Sequence, residues 1–370
     1  MDAASSDSSA LLPGESLVTA AGYPVLTYFR KGETDKPLAV FLPGGGHLAR
    51  VAYGHPTLRP DDFLDHWLQK QGFGLLAISY PSDHPVYDRT FPAMTLVDWG
   101  RVAADVTRRM MDDHGLQKNV ILLGWSMAGR AVRPYNTAAT ALGIDVEAFL
   151  SLAATPPLFL NTDVEEAFWL TEAGLRETRH PKPGLENHDR FRWWDIALAE
   201  QAQLNGRPVF DGHRYFEIFR GNHPANLNGE RLRYRDGILV SDIAEAIEDM
   251  GSFEYGDYPL TACLIPETEH DLRHAVTDAP TWGFINSQKI LRTWLQPLMA
   301  RDPGRMRERW EEIGALVHAD PQRLNAFIPG GHLFFTGALG AERTAAQIQP
   351  LLHEIRRQRA LLDAVVVSRL

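Results

Sequence analysis

A single cysteine, Cys263, occurs in 370 residues, so no intramolecular disulfide framework can form and the chain reads as one for a reducing compartment. No apolar run approaches the roughly 18 residues that a membrane-crossing helix needs. Val365-Val366-Val367 is short and follows a charged helical pattern. The N-terminus, Met1-Asp2-Ala3-Ala4-Ser5-Ser6-Asp7, lacks the basic start and apolar core of a secretory signal. Positive charge is in deficit: 37 Lys and Arg stand against 47 Asp and Glu, a net charge of −10. That removes the electrostatic ground for nucleic acid or an anionic membrane as partner. Internal repeats and long low-complexity segments are also missing. Together these absences predict a soluble cytoplasmic protein acting on a small molecule.

What is present is an alternation of two patterns. Leu38–Leu42, Gly74–Ser79, Val120–Leu123 and Val146–Leu152 are short apolar runs, and runs apolar on both faces suit buried parallel strands. Between them Asp61–Gln71, Met94–Asp113 and Met127–Leu142 carry helical patterns. Strand-helix alternation predicts a mostly parallel, doubly wound α/β sheet. Ahead of it, Ser16–Ala20 and Pro24–Arg30 read as a hairpin turning at Ala21-Gly22. The rhythm stops near Pro156-Pro157 and resumes at Leu260–Ile265, Leu324–Ile328 and a final helix near Glu342–Leu362. The predicted organisation is a flexible tail over 1–14, a core in two parts over 15–160 and 259–370, and an inserted, mainly helical lid over 161–258. The final helix has Leu351, Leu352, Ile355 and Leu361 on offer for the sheet or for a second subunit, so a homodimer stays open.

The strongest chemical signal is Gly124-Trp125-Ser126-Met127-Ala128-Gly129. It follows an apolar run and opens a helix. A serine on such a sharp turn projects its hydroxyl above the sheet edge, and the residues two before and two after must be small because strand and helix backbones nearly touch. Gly124 and Ala128 meet that need, Ala128 being a departure from the usual glycine. The competing reading is a tight turn with an incidental serine. The second signal is Pro43-Gly44-Gly45-Gly46-His47 after Leu38–Leu42. Without Cβ atoms the amides of Gly44 or Gly45 can face a developing oxyanion, with the amide of Met127 as the second donor. The run lacks the Gly-Lys-Ser/Thr ending of a phosphate loop. The third signal is Pro329-Gly330-Gly331-His332-Leu333-Phe334-Phe335, which places His332 on a glycine-rich loop after the last strand, where a histidine can exchange protons near neutral pH.

With these three segments in this order, the chain resembles the α/β-hydrolase superfamily over roughly 16–160 and 259–370. The Gly-Gly-His-Leu-Phe-Phe segment is also similar to the histidine loop of acyl-carrier thioesterases. The resemblance implies Ser126 as nucleophile, His332 as base and an acid behind His332. In this superfamily the acid usually follows the strand after the lid, here within Pro266-Glu267-Thr268-Glu269-His270-Asp271. The usual interval favours Glu269 and the usual preference for aspartate favours Asp271; Glu269 is preferred, with Asp163 as an outlying third. No cofactor or metal is implied. His270 and His274, four apart, would share a helix face as zinc ligands do, but no persuasive third ligand follows.

The aromatic lid predicts a pocket for an apolar or aromatic group, not a sugar or a polyanion. Trp193, Trp194, Trp282 and Phe284 are its expected lining, together with Trp125 and His47 beside the serine and glycine loops. His84 and Tyr87, after the Leu75–Ser79 run, are placed near it by topology. The expected chemistry is hydrolysis of an ester, thioester or lactone through an acyl-enzyme. An acyltransferase using the same residues, a lyase or cyclase using them for acid/base work, and a non-catalytic binding module are the other classes.

Overall fold

The computed structural model describes residues 11–158, 169–180, 184 and 189–366. Of the tail expected over 1–14 only 11–14 fall within these, and Asp163 falls outside them. Eight strands form the central sheet: β1 (Glu15–Ala20), β2 (Tyr23–Arg30), β3 (Leu38–Leu42), β4 (Leu75–Ser79), β5 (Asn119–Trp125), β6 (Asp145–Leu152), β7 (Thr261–Pro266) and β8 (Asn325–Ile328). Their order in space is β1-β2-β4-β3-β5-β6-β7-β8. Strand β2 runs antiparallel to both neighbours, and every pairing from β4 to β8 is parallel. This is the α/β-hydrolase fold that the sequence predicts. The hairpin is also as expected: Ala21 (φ 46°) and Gly22 (φ 88°) both take the left-handed conformation that a two-residue turn between twisted strands requires.

The apolar runs become strands because both faces are covered. All five residues of β3 and of β4 are buried. Ala39 and Phe41 of β3 join one core layer; Leu38, Val40 and Leu42 join the other. On the second layer lie α1 (Leu96–His114) and α2 (Val132–Ala141). A reciprocal Thr95/Asp98 cap opens α1 and left-handed Gly115 closes it. The two helices approach so closely at Gly100 that a Cβ there would lie 2.4 Å from the carbonyl carbon of Pro134. The final helix, α3 (Ala338–Val366), begins four residues earlier and ends four later than the sequence pattern marks. Its Leu351, Leu352 and Ile355 pack into the first core layer, so the sheet takes this face.

Between β6 and β7 the described residues form helices Asp189–Leu204, Gly212–Phe219 and Ile243–Met250. Two small antiparallel ladders, Leu175–Arg176 with His223–Pro224 and Leu232–Arg235 with Ile238–Ser241, add to the helical content expected there. The parallel registers put the ends of β3, β5, β6, β7 and β8 on one edge: Leu42 faces Gly124, Gly124 faces Ser151, Leu264 faces Leu152 and Pro266 faces Ile328. In open α/β sheets this carboxyl edge is where ligands bind. All three motif loops leave from it. No helix among the described residues is long and apolar enough to cross a membrane.

Candidate active site

Ser126 follows β5 directly and has φ 53°, a conformation rare for a residue with a Cβ. Its carbonyl accepts from the amide of Thr155 at 2.7 Å, which ties the turn to the segment after β6. Space around it is short. A Cβ on Gly124 would meet the Phe149 ring at 2.7 Å, and one on Gly44 would lie 2.9 Å from Ser126 Cβ. That same Gly124 Cβ would lie 3.5 Å from Ala128 Cβ, an ordinary contact, so alanine fits where glycine is usual. The tighter position is Gly129, whose added Cβ would sit 2.3 Å from the Thr155 carbonyl oxygen. The chain after Ser126 is 3₁₀ through Ala131 before α2 begins, a refinement of the single helix expected over 127–142.

His332 is buried, and its Nδ1 lies 2.8 Å from Oδ2 of Asp271, also buried. The preference for Glu269 is corrected here. Glu269, His270 and Asp271 form a single 3₁₀ turn behind Thr268, whose hydroxyl accepts from the His270 amide. That turn leaves Glu269 and His270 exposed and swings Asp271 inward. Burial alone would raise the Asp271 carboxyl, but His332, His274 and Arg273 outweigh it and hold it at about 2. Burial pushes His332 below its ordinary value, only partly offset by Asp271. At neutral pH the pair is therefore a carboxylate and a neutral imidazole with its proton on Nδ1. Trp125 braces the loop by donating its indole N–H to the His332 carbonyl at 2.9 Å.

Ser126, His332 and Asp271 line one cavity of about 380 Å³, together with Gly45, Met127, Trp193 and Trp194. Other expected lining residues lie elsewhere. Trp282 is buried in the second core layer beside Phe149 and donates to the Ala154 carbonyl. Phe284 is exposed and packs edge-on against Tyr255. Their helix Leu272–Ile290 runs back along the sheet, which carries both away from the carboxyl edge. His47, Trp125 and Gly44 form the support beneath the cavity: His47 Nε2 bonds Tyr215 at 2.6 Å, and the Gly44 carbonyl accepts from Tyr80 at 2.7 Å. His84 and Tyr87 are buried against Glu217 and the β2–β4 backbone. Sequence reasoning missed the arginines. Arg130, Arg176, Arg220 and Arg273 all line the cavity, which the apolar reading of the pocket did not anticipate. Two of them had a signal: Arg130 is four residues after Ser126, and Arg273 is two after Asp271.

Among the described residues one donor cluster has metal-like spacing. Ligand atoms of Asp271, His274 and His332 lie within 4.8 Å of one another. Each is already engaged. His332 and Asp271 hold each other; His274 Nδ1 faces Asp278 at 2.9 Å, and its Nε2 faces the Arg273 guanidinium at 2.7 Å. A guanidinium on the free nitrogen occupies the place a cation would take, so the donor set does not suit one. The pair His270 and His274 does not share a helix, because His270 belongs to the preceding 3₁₀ turn.

The buried histidines give a pH dependence of stability. Burial lowers His84 to about 4 and pushes His47 well below its usual value. On acidification the unfolded chain takes up these protons first. Stability present above pH 6.5 is therefore lost as the pH falls from 6.5 toward 4, with His84 alone worth about 2 kcal/mol at pH 5. Urea midpoints measured between pH 7.5 and 5 are expected to fall steadily; a flat profile would contradict the neutral, buried state.

No known family profile matches the chain, and no curated protein does. Among solved structures it is similar to a carboxylesterase of the ammonia-oxidizing thaumarchaeon Nitrososphaera gargenis, at 12% identity and TM-score 0.39 over 93% of this chain and 99% of that one. It is similar to the thioesterase domain from the curacin biosynthetic pathway at 10% identity and TM-score 0.37, over 96% of this chain and 99% of that one. A loop variant of a haloalkane dehalogenase from Bradyrhizobium elkanii aligns at 11% identity and TM-score 0.46, over 94% and 98%. The fold assignment rests on the strand order itself.

Proposed function

We propose that this chain is a serine hydrolase that cleaves an ester, thioester or lactone through an acyl-enzyme on Ser126. The observation that carries the reading is the strained, accessible Ser126 opening into the same cavity as a neutral His332 whose Nδ1 is held by Asp271. A left-handed non-glycine residue costs on the order of 1–3 kcal/mol and persists where the surroundings over-determine it, commonly at active sites. His332 Nε2 takes the Ser126 proton as Oγ attacks the carbonyl carbon; Asp271 orients the ring and stabilises the cation that forms. The amides of Gly45 and Met127 receive the oxyanion. His332 then returns its proton to the leaving alcohol or thiol, and water, activated by the same ring, releases the acid. The segment between β6 and β7 acts as a lid, with Trp193 and Trp194 giving the substrate an apolar wall. No cofactor enters these steps.

Intact-protein mass spectrometry after exposure to a neutral fluorophosphonate tests this. A single adduct mapping to Ser126 is expected, absent from Ser126→Ala. The labelling rate should fall on acidification with a midpoint below 6.5, because burial lowers His332 and only its neutral form accepts the proton. No adduct on the wild type would rule out an activated serine.

A further inference from the structure

The cavity beside Ser126 is charged in a way that ester hydrolysis alone does not need. Among the described residues four guanidiniums line it, in a chain of net charge −10. The carboxylates among the described residues that line it do not balance all of them. Asp271 is taken by His332, Glu177 accepts from the amides of Arg179 and His180, and Glu230 lies 3.7 Å from Arg176. Among the described residues Arg130, Arg220 and Arg273 have no carboxylate within ion-pair distance.

Arg130 and Arg220 are almost fully buried, at 5% and 1% exposure. A buried charge without a counter-ion is costly, and native proteins pair such groups or hold them for a ligand. Both are fixed in place. Arg130 donates through Nη1 to the Asn228 carbonyl, and its Nε has no partner. Arg220 donates through Nη2 to the Thr178 carbonyl at 2.8 Å and stacks on Trp194, and its Nη1 has no partner. Both guanidiniums are thus held at the wall of the cavity with no carboxylate partner among the described residues. Arg273 is exposed at the mouth, held to Thr155 Oγ1 at 2.9 Å.

We propose that the substrate carries an anionic group, a carboxylate or a phosphate, which Arg130 and Arg220 bind inside the cavity and Arg273 draws in at its mouth. The proposal builds on the hydrolase reading, since it places the scissile carbonyl of the same molecule at Ser126. Guanidinium recognition of planar or tetrahedral oxyanions is the geometry for which arginine is suited over lysine. The expected pocket for a wholly apolar group is thereby replaced by one with a Trp193/Trp194 wall and a cationic end.

Two measurements separate this proposal from the reading beneath it. The first compares kcat/KM for 4-nitrophenyl butyrate and mono-4-nitrophenyl glutarate, which differ mainly by a terminal carboxylate. The glutarate ester should be preferred by about tenfold or more, the size of a charge-assisted hydrogen bond. That ratio should collapse in Arg130→Gln and shrink in Arg273→Gln, a mouth variant that leaves the core intact. An unchanged ratio in both variants overturns the proposal. The second is calorimetric binding of glutarate and of inorganic phosphate to Ser126→Ala, where no chemistry intervenes. Binding lost in the Arg130→Gln double variant supports the anion site, even if neither ester is cleaved and the hydrolase reading fails. The tighter of the two anions identifies the group, and binding of neither overturns the proposal.

Discussion

Ser126→Ala should lose on the order of 10⁶ in kcat on any ester the protein turns over, the scale seen when a serine nucleophile is removed from such a unit. Thermal stability should barely move, because the hydroxyl is not what holds the turn. The backbone at φ 53° is held by the Thr155 amide on the Ser126 carbonyl and by the crowding of Gly44 and Gly124. Ser126→Gly separates catalysis from strain. It should be as inactive as the alanine variant yet more stable than it by about 1 kcal/mol, since glycine carries no Cβ into the left-handed region. Activity within tenfold of wild type in either variant would remove Ser126 from the chemistry. A glycine variant less stable than the alanine one would mean that the turn is not strained.

The second large effect is at the acid. Asp271→Asn should lower kcat by roughly 10⁴. The amide can present its NH₂ to His332 Nδ1 and so favour the wrong tautomer, and it cannot stabilise the imidazolium. Glu269→Gln should leave kcat within about twofold, because that side chain is exposed and makes no bond to His332. Kinetics of both variants on one chromogenic ester decide the matter. A larger loss in Glu269→Gln would restore the assignment that the strand-to-acid interval favours. Asp271→Asn also removes the charge that raises His332, so any residual activity should have its acid limb at still lower pH.

These two predictions also mark where sequence reasoning stops. The Ser126 turn was legible because its constraint is local. Small residues are needed at Gly124 and Gly129, where an added Cβ would meet Phe149 of the adjoining strand and the Thr155 carbonyl just after it. The same holds for the strand runs, whose burial on both faces is written in consecutive residues, and for the glycine and histidine loops that leave their ends. The acid was not legible, because Glu269 and Asp271 are two residues apart and one 3₁₀ turn decides which points inward. Trp282 and Phe284 were misplaced because their helix turns back along the sheet, a direction that no local pattern encodes.

By itself, then, the sequence determined the fold class and the strand runs, and it marked the Ser126 turn and the glycine and His332 loops at the strand ends. Each follows from sterics or periodicity over a few residues. The tertiary structure alone decided which carboxylate meets His332 and what fills the cavity. Arg130, Arg220 and Arg273 come from the turn after β5, the segment between β6 and β7, and the helix after β7. Scattered along the chain they are ordinary surface-type residues. Folding buries two of them in the wall of the cavity that Ser126 and His332 also line, and a charge acquires meaning for binding only when water has been taken from it.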